Sequence, residues 1–172
     1  MIRRGVPDDA VWIRETAAHV YAQLGDYRSI IPSWMSHPGV LTFLDVDDSD
    51  TRRGFILLGF YEPEHGAPDT GAATAELASA DPSSRYVADL IAIAVAPEYQ
   101  RLGTGRRLLE YAIDLATLAG RRVPVPEMRL TVAETNTVAM RLFRSFGFDV
   151  LDAHHGSYDG GQRAIRMTRK LG

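Results

Sequence analysis

The chain has 172 residues, 45% hydrophobic and 24% charged, the composition of one globular domain over residues 1–172 with a single substantial core. A net charge of −3 with no Lys/Arg run argues against a nucleic-acid partner, and the lack of cysteine excludes disulfides, thiolate zinc sites and a cysteine nucleophile. The start has no apolar signal-peptide core and no apolar run approaches a membrane span, so the expectation is a cytoplasmic protein without a membrane partner. Only Lys170 is lysine, so nearly all cations are arginines, which suit bidentate phosphate contacts.

Residues 2–4 predict a short edge strand. Pro7, Asp8 and Asp9 then favour a helix start, and Val11, Trp12, Ala17, Val20, Tyr21 and Leu24 follow at mostly helical spacing up to Gly25. A second helical stretch over residues 27–34 contains Pro32, which predicts either two short turns or a kinked helix. Residues 40–46 and 54–61 are strand-like and are joined by an acidic turn that runs from Asp45 to Thr51, a hairpin in outline. Residues 62–85, rich in Pro, Gly, Ala, Ser and Asp, read as a long surface loop or a flap.

Residues 87–95 are apolar on both faces apart from Asp89, the pattern of a strand buried on both sides, and Pro97 ends it. Leu108, Leu109, Ala112, Leu115, Ala116 and Ala119 then repeat at helical spacing before Gly120. Between strand and helix lies Gln100-Arg101-Leu102-Gly103-Thr104-Gly105. Its glycines allow a tight turn and close backbone approach at a helix N-terminus, where an anion is favoured, so the physics is that of a phosphate cradle. The third glycine of a dinucleotide fingerprint is replaced by Leu108, and no P-loop run occurs. Without a ligand, the stretch is a glycine-rich turn.

Residues 123–126 form a stiff connection. Residues 128–133 predict a strand parallel to the first through a right-handed crossover. Thr135 and Asn136 suit a helix cap, with Ala139, Leu142, Phe143 and Phe146 on one face and Gly147 at the end. Residues 148–153 and 162–171 read as final strands around a turn-rich loop. His154 and His155 are adjacent, so on a strand they would point to opposite faces; they read as loop histidines, and no metal site is argued.

The cradle resembles the Q/R-x-x-G-x-G/A acyl-CoA loop of the GNAT superfamily of N-acyltransferases, with Gln100, Gly103 and Gly105 at its defined positions. Residues 136–148 resemble that family's N-x-x-A-x-x-L-Y/F-x-x-x-G-F segment, so the likeness covers about 87–148 closely. The resemblance implies an α/β GNAT fold: a mixed, mostly antiparallel central sheet flanked by helices, whose central parallel strands splay apart. It implies acetyl-CoA as cosubstrate and direct acetyl transfer to a primary amine. Backbone groups of Ile93, Ala94 and Val95 would hold pantetheine, and those of Arg101, Leu102, Gly103, Thr104, Gly105 and Arg106 the pyrophosphate. A strand-four N–H would polarise the transferred carbonyl. Asn136 would hydrogen-bond the cosubstrate and Phe143 would pack near the thioester, or they serve only as cap and core.

Many members carry tyrosine where this chain has Phe143, and phenylalanine cannot protonate the departing thiolate. Asp89 falls where histone-acetylating members carry a glutamate. It is either the base, its pKa raised by burial, or the partner of an arginine. Glu134, with a helix-start role as its alternative, is the second choice of base, and Tyr158 is the candidate acid or a wall of the amine pocket. Residues 156–167 resemble the tyrosine-bearing tail of members that acetylate ribosomal-protein N-termini, which raises peptide α-amines as acceptors. Small amines, amino acids and aminoglycosides stay open, as do a homodimer and a non-catalytic acyl-CoA-binding or regulatory domain.

Overall fold

The computed structural model describes residues 1–62 and 86–172, so the stretch read as a loop or flap lies outside the described residues except for Glu62. In chain order the elements are β1 (Ile2–Arg4), α1 (Ala10–Val20), α2 (Tyr27–Ser36), β2 (Val40–Val46), β3 (Arg52–Tyr61) and β4 (Val87–Val95). Then come α3 (Thr104–Ala119), β5 (Glu127–Ala133), α4 (Thr137–Ser145), β6 (Asp149–Asp152) and β7 (Ala164–Lys170). The seven strands form one sheet in the order β1-β2-β3-β4-β5-β7-β6. Among them β4–β5 is the parallel pair and the other pairings are antiparallel.

Each sheet face carries its own apolar layer. Ile56, Leu58, Ala88 and Leu90 join Leu108, Leu109 and Ala112 of α3 on one face; Phe143 and Phe148 belong to the same layer. Leu44, Phe55, Leu57, Ala92 and Ala94 join Ile13, Ala17 and Ile31 of α1 and α2 on the other. The two faces explain why β4 reads as continuously apolar. Among the described residues, no helix is long and apolar enough to cross a membrane.

Two local features resolve what the pattern left open. Residues 27–36 form one helix through Pro32, started by Asp26, whose side chain accepts from Ser29 N–H. A bulge in β4 puts Leu90 opposite Leu58 but Ala92 opposite Leu57, leaving Ile91 as the extra residue. One inserted residue exchanges the faces of all that follow, which is why Leu90 packs with α3 while Ala92 packs with α1.

Candidate active site

β4 and β5 pair only from Val87–Glu127 to Leu90–Leu130. Beyond that point β4 stays with β3 and β5 stays with β7, so the two parallel strands part. A cavity of about 460 Å³ opens at the split, lined by Ile91 to Ile93 on one side and Thr131 to Ala133 on the other. The separation frees backbone groups that a continuous sheet would pair. Those of Ile93 are taken by one side chain: Tyr21, at the end of α1, donates its hydroxyl to Ile93 O at 2.7 Å and accepts from Ile93 N–H at 3.1 Å. Burial pushes the Tyr21 pKa up, so it stays a neutral hydroxyl able to do both.

The cradle lies beyond the end of β4. A single 3-10 turn, Pro97–Tyr99, leads to Gln100, whose amide donates to Val95 O at 3.1 Å and ties the loop back to the strand. Gly103 precedes α3 with φ +80°, and Arg101 has φ +62°. The left-handed turn at Gly103 lets the chain enter α3 abruptly. Thr104, Gly105 and Arg106 then present the first N–H groups of a 16-residue helix, and no side chain caps that start. The Arg106 guanidinium rests on the Phe146 ring at 4.8 Å.

A family model described as "Acetyltransferase (GNAT) family" matches residues 11–148. The chain belongs to the GNAT acetyltransferase family. The [Ribosomal protein bS18]-alanine N-acetyltransferase of Escherichia coli K12 is 40% identical over 84 residues, which are 47% of this chain and 54% of that protein. The chain thus matches about half the length of such relatives. The crystal structure of the Escherichia coli ribosomal-protein-S18-alanine N-acetyltransferase has a TM-score of 0.64 at 22% identity, covering 99% of this chain and 93% of that one. Arabidopsis thaliana NAA60, solved in complex with acetyl-CoA, has a TM-score of 0.75 at 13% identity, covering 99% and 98%. A GCN5-related N-acetyltransferase from Kribbella flavida has 0.68 at 24%, covering 99% and 97%. These likenesses show the GNAT fold.

At the floor of the GNAT cavity Asp89 is buried and accepts from Arg166 Nη2 at 2.9 Å. The same guanidinium donates to Tyr61 Oη at 2.6 Å and Thr131 Oγ1 at 2.9 Å. Burial drives the Asp89 pKa up, while Arg166 and the Tyr61 hydroxyl oppose the rise; the balance stays raised. Tyr61 is pushed up to about 12, chiefly by burial and then by the nearby carboxylate. Asn136 lines the cavity and also caps α4, accepting from Ala139 N–H at 3.1 Å. Phe143 lines it and packs edge-on against Phe148. Glu134 is turned instead to Arg163, with an ion pair of 2.7 Å and a hydrogen bond from Arg163 N–H, and does not line the cavity.

Two loops wall the remaining side. Residues 153–163, between β6 and β7, reach the α1–α2 connection: Gly160 N–H donates to Leu24 O at 3.0 Å and the Gln162 amide to Gln23 O at 2.9 Å. Tyr158 and Tyr27 both line the cavity, and burial raises the pKa of both. The Tyr27 ring leans on Tyr21 at 4.7 Å, tilted by 42°, and meets Trp34 at 5.9 Å. Sequence reasoning missed Tyr21, His155 and Arg166 as lining residues. Arg166 left one readable sign, a charge between the apolar neighbours Ile165 and Met167 in β7; Tyr21 and His155 left none. Among the described residues, no three His, Cys, Asp or Glu side chains are grouped to hold a metal.

Proposed function

We propose that this chain is an acetyl-CoA-dependent N-acetyltransferase acting on a primary amine by direct transfer. The observation that carries the reading is the parting of β4 from β5 with the αL-glycine cradle at the mouth of the gap. The backbone of β4 at Ile93 and Val95, left unpaired by β5, suits an extended pantetheine arm, and the N–H groups of the cradle suit its pyrophosphate. Tyr21 occupies the Ile93 groups in this structure, so it would yield them to the amides of the arm.

The amine enters between the two loops. Asp89 takes one proton from the ammonium, the amine nitrogen bonds to the thioester carbonyl carbon, and the carbon–sulfur bond breaks as the thiolate departs and the nitrogen releases its second proton to solvent. Phe143 offers no proton to that thiolate; our candidate to supply one is Tyr158, and its lining the cavity supports that reading. The acceptor class we infer is a peptide or protein α-amine, supported by the ribosomal-protein relatives; a small amine is the alternative. A cytoplasmic setting is part of the same proposal and fits that acceptor class.

Free-thiol release from acetyl-CoA against a panel of peptide and small amines tests the assignment. Amine-dependent release is expected. Tight CoA binding without turnover on any amine would instead favour a non-catalytic acyl-CoA-binding domain. Tyr158→Phe separates the two roles of that residue: loss of an acid lowers kcat with the amine KM nearly unchanged, whereas loss of a pocket wall raises KM. The acid role predicts the first outcome, and unchanged values of both would remove Tyr158 from the site.

A further inference from the structure

Behind the cradle lies a buried carboxylate that the chemistry does not use. Asp45 of β2 is fully buried, and its Oδ2 accepts from Arg107 Nη2 at 2.6 Å. Its Oδ1 accepts from Arg53 Nη2 at 3.2 Å and from the Met1 ammonium at 3.4 Å. Arg107 is the fourth residue of α3, and its fork also reaches forward: Nη1 donates to Leu102 O at 3.2 Å and Nη2 to Thr104 Oγ1 at 3.0 Å. Leu102 and Thr104 are the two neighbours of Gly103, the residue with φ +80°. One guanidinium thus grips the chain on both sides of the turn that aims the first N–H groups of α3.

The sheet shapes the same place from below. Gly54 pairs with Asp45 across the hairpin. A Cβ on Gly54 would stand 2.8 Å from Ala94 O, 3.0 Å from Leu108 Cδ1 and 3.2 Å from Thr104 Cγ2. The start of α3 therefore lies directly on the backbone of β3, and Thr104 is buried there. A carboxylate out of water is costly unless paired, so Asp45 holds its arginines in a fixed place. The planar fork of arginine serves several acceptors at once; an ammonium on a flexible stem is a single point.

We propose that Asp45 and Arg107 are positioning residues for acyl-CoA: Asp45 orients the Arg107 guanidinium, which fixes Leu102 and Thr104 and so keeps the pyrophosphate N–H groups converged. The proposal rests on the acetyl-CoA reading above. It also has a sign that simple electrostatics opposes. Removing a negative charge near an anion site strengthens anion binding by Coulomb's law, whereas removing a brace weakens it.

The test uses the full chain, calorimetric titration with CoA, and initial rates. For Asp45→Asn, CoA binding is expected to weaken roughly tenfold or more, with a matching rise in KM for acetyl-CoA. The amine KM and kcat should stay close to wild type. Arg107→Met should lose as much, Arg107→Lys less, and the double variant no more than either single one, because the two act as a unit. Arg107 is partly exposed, so its variants keep the test open should Asp45→Asn fail to fold. Asp45→Asn or Arg107→Met that melts lower yet binds CoA as tightly as wild type, or tighter, would overturn the proposal. Wild-type protein that binds no CoA would instead overturn the acetyl-CoA reading itself.

Discussion

Gly105→Val is expected to weaken acetyl-CoA binding by on the order of 100-fold or more, with little loss of folding. Hydrogen bonds to charged groups contribute about 1.5–3 kcal/mol each, so losing two of the cradle's N–H contacts suffices. A Cβ at Gly105 meets only Leu142 Cδ2 and Val95 Cγ2, both at 3.7 Å, which is ordinary contact. The larger valine branches would project into the gap between the end of β4 and α4 and obstruct the groove without disturbing the core. Gly103→Val should lose binding as well, but it adds backbone strain, since a β-branched residue at φ +80° is a genuine outlier. Calorimetry on both variants, with melting curves alongside, separates the two effects. Wild-type CoA affinity in folded Gly105→Val would remove the cradle from the mechanism.

Asp89→Asn is expected to lower kcat/KM by roughly 10²–10⁴-fold, the usual range for a positioned acid–base group. The loss should shrink as pH rises, because the amine then deprotonates unaided. The substitution also leaves Arg166 buried without its counter-charge, and breaking a buried pair costs about 3–5 kcal/mol. A lowered Tm is therefore expected too, and the pH-dependent recovery is the signature that a purely structural loss does not produce. The raised pKa adds a second check. Folded protein holds the Asp89 proton more tightly than unfolded protein does, so this group's contribution to stability falls as pH climbs from about 3.8 through the raised value. An undiminished rate at neutral pH would return Asp89 to structure and leave His155, also on the cavity wall, as the base to test.

Local chemistry in the chain determined a good deal of this protein. Gly103 and Gly105 before a helical run specify a tight turn onto a helix N-terminus whatever surrounds them, and the spacing through α3 and α4 specifies their buried faces. Asn136 was legible as a cap because capping is a contact within four residues.

Tertiary structure decided what depends on partners far apart in the chain. In a strand that is apolar on both faces around Ile91 nothing marks the bulge there, because either face satisfies a core; only pairing with β3 exchanges the faces. The same pairing directs Asp89 toward Arg166, 77 residues away, and Tyr21 toward Ile93, 72 residues away. Asp45 looked like the first member of an acidic turn, yet it is a buried strand residue, because arginines from β3 and α3 converge on it. Glu134 sits two residues from Asn136 in sequence but is held outside the cavity by Arg163. Periodicity and turn chemistry are short-range properties and can be read along the chain. A buried charge is tolerable only beside its counter-charge, and where that partner lies is a property of the folded sheet.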